Sequence, residues 1–153
     1  MLTVVYVVAA ATVVLLVLLR LSVSVLLVSG PSMTPALRHG QRVLFVRHGL
    51  LRPRAGRIVV VSPPPAPDRR TPARARPLLV KRVVALAGDP VPPEVREAAG
   101  AAEGALVPAG QLVVLGDNPG FSTDSRFWGT LPARSVVGVV LERGGRAGAK
   151  ASP

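Results

Sequence analysis

The sequence predicts a mainly β domain preceded by one N-terminal transmembrane helix. The first observation is an uncharged apolar run at the N-terminus, from Leu2 to Leu19. The second is a series of short Val- and Leu-rich runs after residue 30, each bounded by turn-forming residues. The third is the content of 15 Gly and 16 Pro, which favours many turns over long helices. One short helix is predicted later in the chain, at Glu94–Ala102.

The N-terminal run has the length of a membrane span. It covers 18 uncharged positions, Arg20 interrupts it, and Leu21 to Val28 is apolar again. A helix needs about 20 such residues to cross roughly 30 Å of hydrocarbon. The span ends either near Arg20 or near Val28, with the Arg20 side chain reaching an interface in the second case. A cleaved secretory signal fits less well, because no Lys or Arg precedes the run. We therefore predict an anchor over residues 1–28, in contact with membrane lipid.

The remaining chain reads as one β domain over residues 29–143. Two stretches are predicted as loop insertions: residues 62–77, which are rich in Pro and Arg, and residues 90–110. Residues 144–153 are predicted to be a disordered tail. The predicted strands, all rich in Val and Leu, are Arg42–His48, Arg57–Val61, Leu78–Leu86, Gln111–Leu115 and Ser135–Leu141.

Composition excludes several classes of function. The chain has no cysteine and only two histidines, so thiol catalysis and thiolate metal sites are excluded, and we expect neither a metal nor a cofactor. The net charge is +11, but the 17 arginines are scattered and the five aromatic residues form no stacking platform. We therefore expect no nucleic-acid partner. Beside a bilayer the same charge would attract anionic headgroups.

Ser32 and Lys81 are the first candidates for chemistry. Ser32 lies in the turn-forming sequence GPSMTP, where an isolated serine most often bonds its own backbone. Lys81 lies in the apolar run LLVKRVVAL and is the one lysine outside the tail. Arginine stays protonated in proteins, whereas a buried lysine can lose its proton near neutral pH. From the residues alone, a solvent-facing strand lysine beside Arg82 is an equally good interpretation.

Acidic and basic residues later in the chain suggest two ion pairs. Asp117 is a plausible partner for Arg82. Asp124 and Arg126 are two positions apart and share one side of an extended segment, so their direct pairing needs a turn. Each pair alone is adequately explained as a surface ion pair of little energetic value.

Taken together and in order, these segments resemble type I signal peptidases, which are membrane-bound serine/lysine peptidases. The matching boxes are SMTP at 32–35, KRVVALAGD at 81–89 and GDNPGFSTDSR at 116–126, followed by FWGTLP. The apolar run lies where that family has its anchor. Two departures are Ala36, where the family usually has Thr, and Ala87, where it usually has Pro. Neither departure removes a reacting atom.

The resemblance implies a role for each matched residue and an antiparallel β-sheet or barrel of the signal-peptidase type. Ser32 would be the nucleophile, Lys81 the general base, and Ser122 the residue that orients the Lys81 amine. Gly30 would lie in the oxyanion-hole turn, where some relatives carry a hydroxyl, and Met33 would pack near the membrane-facing rim. The resemblance implies structural roles for Asp117, Asp124, Arg126 and Arg82.

The implied activity is removal of N-terminal signal peptides from exported preproteins. The resemblance also implies a single-pass protein of the plasma membrane with an extracytoplasmic catalytic domain. Because a carboxylate in contact with Lys81 would stabilise its charged form, we expect none to touch it. Two alternatives stay open: a dedicated maturation peptidase for one precursor, and a catalytically inactive membrane-tethered binding module.

Overall fold

A single antiparallel sheet forms the centre of the chain. The computed structural model describes residues 2–47, 49–65 and 77–141, and within the first helix it leaves the side chains at 2, 15–19 and 21 undescribed. In this part of the chain seven strands form one sheet with the order β1-β2-β7-β3-β4-β5-β6. The strands are β1 Val23–Leu27, β2 Arg42–Arg47, β3 Ile58–Val61, β4 Leu79–Leu86, β5 Gln111–Leu115, β6 Leu131–Pro132 and β7 Val136–Val140.

Helices are short except for the first. The α-helices are α1 Leu2–Ser22, α2 Arg96–Ala99 and α3 Ser125–Trp128, and the 3-10 turns are Pro93–Val95, Pro119–Phe121 and Ala133–Ser135. Among the described residues, none of these helices combines the length and the apolar character that crossing a membrane requires. The Thr12 hydroxyl of α1 donates to the Val8 carbonyl oxygen at 2.8 Å, so its polar group is satisfied inside the helix.

The sheet begins earlier than the sequence analysis placed the domain boundary. The predicted anchor ran to residue 28, whereas α1 ends at Ser22 and β1 pairs with β2 from Val23 opposite Val46 to Leu27 opposite Arg42. Exposed and half-buried residues alternate along β1, as in a strand with one covered face. An unbroken apolar run does not distinguish helix from strand, which is why the sequence left the end of the span open between Arg20 and Val28.

The five predicted strands are present, with ends within one residue of the prediction where they are described. The predicted strand Arg42–His48 corresponds to β2, which spans Arg42–Arg47. Residue 48 lies outside the described residues. The predicted helix Glu94–Ala102 is instead a 3-10 turn followed by the shorter α2, which ends at Gly100 in the left-handed conformation (φ 58°). Of the predicted loop 62–77, residues 66–76 lie outside the described residues, as does the predicted tail 144–153.

Side chains on the two sides of the sheet form separate clusters. One cluster contains Val28, Met33 and Leu37 from the segment after β1, packed on Phe45 and Val60. Met33 is fully buried there. The other cluster joins residues of β3, β4, β5 and β7. Residues 90–110 are more than a loop, because Val91, Val95 and Val107 pack on β4 and β5 in a third cluster.

Gly138 allows β7 to approach β2 closely. A Cβ atom built at Gly138 would lie 2.4 Å from the Val46 carbonyl oxygen and 2.5 Å from Cδ2 of Phe45. We expect Gly138→Ala to lower the free energy of unfolding by about 2 kcal/mol, because backbone and ring must move apart. Urea denaturation of the purified protein measures this. Gly120→Ala is the matched control, since a Cβ there meets nothing within 4 Å. Equal stability of the two variants would contradict the prediction.

Candidate active site

Lys81 is buried in the middle of the sheet. It lies on β4 opposite Val59 of β3, which is fully buried, and only 2% of Lys81 is exposed. Its Nζ donates to the Ser122 Oγ at 2.8 Å. Among the described residues this is its one hydrogen bond, and Lys81 forms no ion pair. The surface-lysine interpretation is therefore excluded.

This environment disfavours the charged form of Lys81. Burial lowers the pKa of the amine below its ordinary value of 10.5. The negative charge of Asp124 partly opposes the change by raising the pKa, and the positive charge of Arg126 lowers it further. An ammonium has three N–H donors, and one acceptor leaves two of them without a partner in a buried place. A neutral amine fits the site better and keeps a lone pair that can accept a proton.

Ser122 stands between Lys81 and a buried carboxylate. The Ser122 hydroxyl accepts from the Lys81 amine and donates to Asp124 Oδ2 at 2.6 Å. Asp124 is fully buried. Among the described residues, no carboxylate oxygen forms an ion pair with Lys81.

Asp124 is held in its ionised form by its neighbours. Burial alone would raise the pKa of Asp124, but hydrogen bonds from the Arg126 side chain, the Gly116 N–H, the Ser122 hydroxyl and the Arg126 N–H lower it overall. The Arg126 guanidinium contacts both carboxylate oxygens, at 3.0 Å from Nε and 2.8 Å from Nη2. The carboxylate is therefore satisfied without Lys81.

A turn makes the Asp124–Arg126 pair possible. Asp124 is the N-cap of α3, and its side chain accepts the Arg126 backbone N–H at 3.1 Å. The chain turns into the helix at this point, which brings the Arg126 side chain back over the carboxylate. The Ser125 hydroxyl accepts the Val114 N–H at 3.0 Å and fixes the turn to β5.

The backbone of Ser32 lies near Ser122, on the other side of Gly116. Its carbonyl oxygen accepts the Asn118 N–H at 3.0 Å, and the Asn118 side chain donates to the Pro31 carbonyl at 3.3 Å. A Cβ built at Gly116 would lie 2.2 Å from Ser122 Oγ and 2.7 Å from the Ser32 carbonyl oxygen. Because Gly116 has no side chain, Ser122 and the Ser32 carbonyl can both lie close to it. Ser122 in turn contacts Lys81.

Gly30 and the second ion pair take definite places around this centre. Gly30 adopts φ +85°, which favours glycine, and its N–H donates to His39 Nδ1 at 3.0 Å. The Ser32 N–H meets no acceptor in the described part of the chain.

Arg82 contacts Asp117 through two hydrogen bonds of 2.8 and 2.6 Å, so the contact that the sequence analysis suggested is present. Arg82 also donates to the Gly56 carbonyl at 2.7 Å.

Sequence reasoning assigned no role to four residues that shape the site: Gly116, Asn118, Ser125 and His39. The first two stand in the turn-forming sequence GDN directly after a strand, which was a usable signal for a tight turn. Ser125 and His39 act through contacts with β5 and with the segment before Ser32, and nothing local in the sequence indicates those contacts.

Comparison with known proteins shows which family the chain resembles. The family described as "Signal peptidase, peptidase S26" matches residues 1–97 and 92–143. The chain is 34% identical over 130 residues to mitochondrial ATP-independent inner membrane protease subunit 1a of Arabidopsis thaliana, covering 81% of this chain and 71% of that protein. It is 31% identical over 135 residues to probable signal peptidase I-1 of Synechocystis, covering 73% of this chain and 66% of that protein.

A crystal structure of a signal peptidase I from Enterococcus faecalis is also similar, with a TM-score of 0.39 and 22% identity over 61% of this chain and 100% of that chain. The family match extends over most of the sequence, and the chain belongs to the signal peptidase family, peptidase S26. Members of this class are serine peptidases, so the chain is a peptide-bond hydrolase.

The Asp124–Arg126 pair provides a test of the site's electrostatics. We expect Asp124→Asn to lower the free energy of unfolding at pH 7 by about 3 kcal/mol, because it leaves a half-buried guanidinium unpaired. The folded pKa of Asp124 lies below the ordinary 3.8, so its ionised form stabilises the fold above that pH. The difference from the parent protein should therefore persist from pH 7 to 5 and shrink as the pH falls below about 4. Denaturation at several pH values measures it.

Asp117→Asn is the matched control, because Asp117 and Arg82 are more exposed, at 18% and 28% of their side chains. It should cost about 1 kcal/mol or less. If Asp124→Asn lowers the free energy of unfolding by no more than the control does, the buried Asp124–Arg126 pair does not stabilise the fold as described.

Proposed function

We propose that this chain is a serine endopeptidase of the Ser/Lys type that removes N-terminal signal peptides from exported preproteins at a membrane surface. The observation that carries the proposal is the buried Lys81 amine. Among the described residues it has no ion-pair partner, and it donates to the Ser122 hydroxyl, which lies near the Ser32 backbone. The substrate class is suggested by the signal peptidases to which the chain is similar.

Lys81 is the proposed general base. In water a lysine is almost wholly charged at pH 7 and cannot accept a proton. Each unit by which burial lowers the pKa raises the uncharged fraction at neutral pH about tenfold. Ser122 supplies a hydroxyl, which can bond a neutral amine without imposing a charge, and so directs the lone pair of Lys81.

Ser32 is the proposed nucleophile. As its Oγ attacks the scissile carbonyl carbon, Lys81 takes the hydroxyl proton, and the carbonyl oxygen becomes an oxyanion. The unpartnered Ser32 N–H is a donor for that oxyanion. The C–N bond then breaks, Lys81 gives its proton to the departing amine, and an acyl ester remains on Ser32. Water, deprotonated by Lys81, hydrolyses the ester and restores the Ser32 hydroxyl.

The sheet offers a place for an extended substrate. Among the described strands β1 is at one edge, so its outer backbone groups have no strand beside them. An extended peptide can pair with such an edge, using main-chain hydrogen bonds for affinity. The chain leads from β1 at Leu27 to Ser32 within five residues, so a peptide bound along β1 would pass close to the nucleophile.

Residues 2–19 are proposed to anchor the enzyme in the plasma membrane by a single pass, with the catalytic domain extracytoplasmic. The support is the uncharged sequence of this segment and its place before the family's catalytic boxes. Ser32 follows the end of α1 by ten residues, which would keep the nucleophile near the bilayer. The basic surface would be attracted to anionic headgroups.

Substitution of the two proposed catalytic groups tests the function. We expect Ser32→Ala and Lys81→Ala each to lower the rate of preprotein cleavage by at least about 1000-fold, because they remove the nucleophile and its base. Lys81→Arg should be equally inactive, because arginine keeps its proton. Cleavage is measured with detergent-solubilised protein and a panel of preproteins.

Ser62→Ala and Lys150→Ala are the controls, and both should cleave at the parent rate. Activity retained by Lys81→Arg would contradict a neutral-amine base. Cleavage of a single precursor in the panel would indicate a dedicated maturation peptidase. Absence of cleavage by the parent protein would favour an inactive binding module.

Extraction tests the anchor. When membranes from cells that produce the chain are washed with alkaline carbonate, we expect the protein to stay in the membrane pellet. Replacing Val8 and Val13 with arginine should release it, because charges at the centre of a span cost several kcal/mol. Release of the unaltered chain into the supernatant would contradict the anchor.

A further inference from the structure

A side chain outside the described mechanism closes the turn that leads to Ser32. The Gly30 N–H donates to His39 Nδ1 at 3.0 Å. Two backbone hydrogen bonds join the same segments: Val28 N–H to the Gln41 carbonyl and Gly40 N–H to the Val28 carbonyl, both 2.9 Å. Of these three contacts, the one to His39 lies nearest to Ser32 along the chain and is the one made by a titratable group.

We propose that His39 is a positioning residue for the reaction: it holds the Ser32 turn by accepting the Gly30 N–H, and a proton added to His39 releases the turn and slows cleavage. The proposal rests on the proposed role of Ser32 as nucleophile. Gly30 is two residues before Ser32 and its φ of +85° belongs to a region that glycine enters freely, so the backbone here relies on hydrogen bonds for its conformation.

The chemistry of imidazole makes this contact dependent on protonation. Neutral histidine has one ring nitrogen that accepts, whereas protonated histidine has N–H groups on both nitrogens. A protonated His39 would therefore direct an N–H at the Gly30 N–H, and the contact would become repulsive. Histidine side chains ordinarily change charge between pH 5 and 8. His39 is exposed, so a proton can reach it without unfolding.

Lys81 is the one other titratable group near the Ser32 turn, among the described residues, whose protonation would slow cleavage. On its own segment His39 is flanked by Arg38 and Arg42, and residues 28–32 opposite it carry no acidic or basic side chain. The segment that packs on Ser32 contributes Asp117, which is paired with Arg82. Lys81 lies beyond Ser32 and is the other group whose protonation would slow cleavage.

Two substitutions separate hydrogen bonding from titration. In His39→Asn the amide oxygen stands at the same branch as Nδ1, so it accepts the Gly30 N–H at every pH. We expect its kcat at pH 8 to stay within about twofold of the parent value. In His39→Leu no acceptor remains, and kcat should fall about fivefold, the value of one ordinary hydrogen bond, with KM little changed.

The pH profile gives a readout that a merely structural role would not move. As the pH is lowered, the parent kcat should fall through protonation of both Lys81 and His39, and His39→Asn should show the less steep fall expected for one group. His48→Asn, which alters the other histidine of the chain, should follow the parent profile. Equal activity of parent and His39→Leu at all pH values, or an equal loss in both His39 variants, would overturn the proposal.

A measurement without substrate separates this proposal from the proposed function. In protein labelled with nitrogen isotope at glycine, the Gly30 amide signal should move with pH between 8 and 5 in the parent and stay fixed in His39→Asn. The Gly56 amide, which donates to the Val83 carbonyl at 2.8 Å, is the control and should not move in either. If the parent cleaves nothing, the peptidase proposal fails, yet a moving Gly30 signal would still support the contact. A static Gly30 signal would overturn the role of His39 even in an active enzyme.

Discussion

Burial of the Lys81 amine is the constraint on which the site depends. An amine placed at the centre of an antiparallel sheet, opposite a fully buried valine, loses the water that would stabilise its charge. In this place a single hydroxyl, that of Ser122, meets it. The sheet therefore has two functions, because the same β3–β4 pairing that contributes to the core also buries the amine and lowers its pKa.

The buried carboxylate behind Ser122 is compatible with this amine because its charge is already compensated. Asp124 receives hydrogen bonds from Ser122, from two backbone N–H groups and from the guanidinium of Arg126. Asp124 still raises the pKa of Lys81, and Arg126 offsets part of that effect. The order Lys81, Ser122, Asp124, Arg126 thus separates the amine from the acid by one hydroxyl and ends on a positive charge, which leaves the carboxylate little need of a second cation.

Backbone geometry, more than side-chain chemistry, brings the segment that carries Ser32, the proposed nucleophile, to this group. Gly116 and Gly30 are the two positions where a side chain would interfere, the first by collision with Ser122 and the Ser32 carbonyl and the second through its backbone conformation. Asn118 joins the segment to the end of β5, and His39 joins it to the loop before β2. Ser32 is therefore held between two turns and has no regular ladder of its own.

The sequence by itself predicted the family and most of the sheet. The order of the three boxes carried the resemblance, and the resemblance singled out Ser32, Lys81 and Ser122, which no one box would have done. Alternation and turn formers located five strands to within a residue. The tertiary structure alone decided that residues 23–27 join the sheet, that Met33 lies in the core, and that Lys81 is buried and not on the solvent face. Those outcomes depend on what lies across the sheet or at its edge, and an apolar residue or a lysine has the same local pattern in either place.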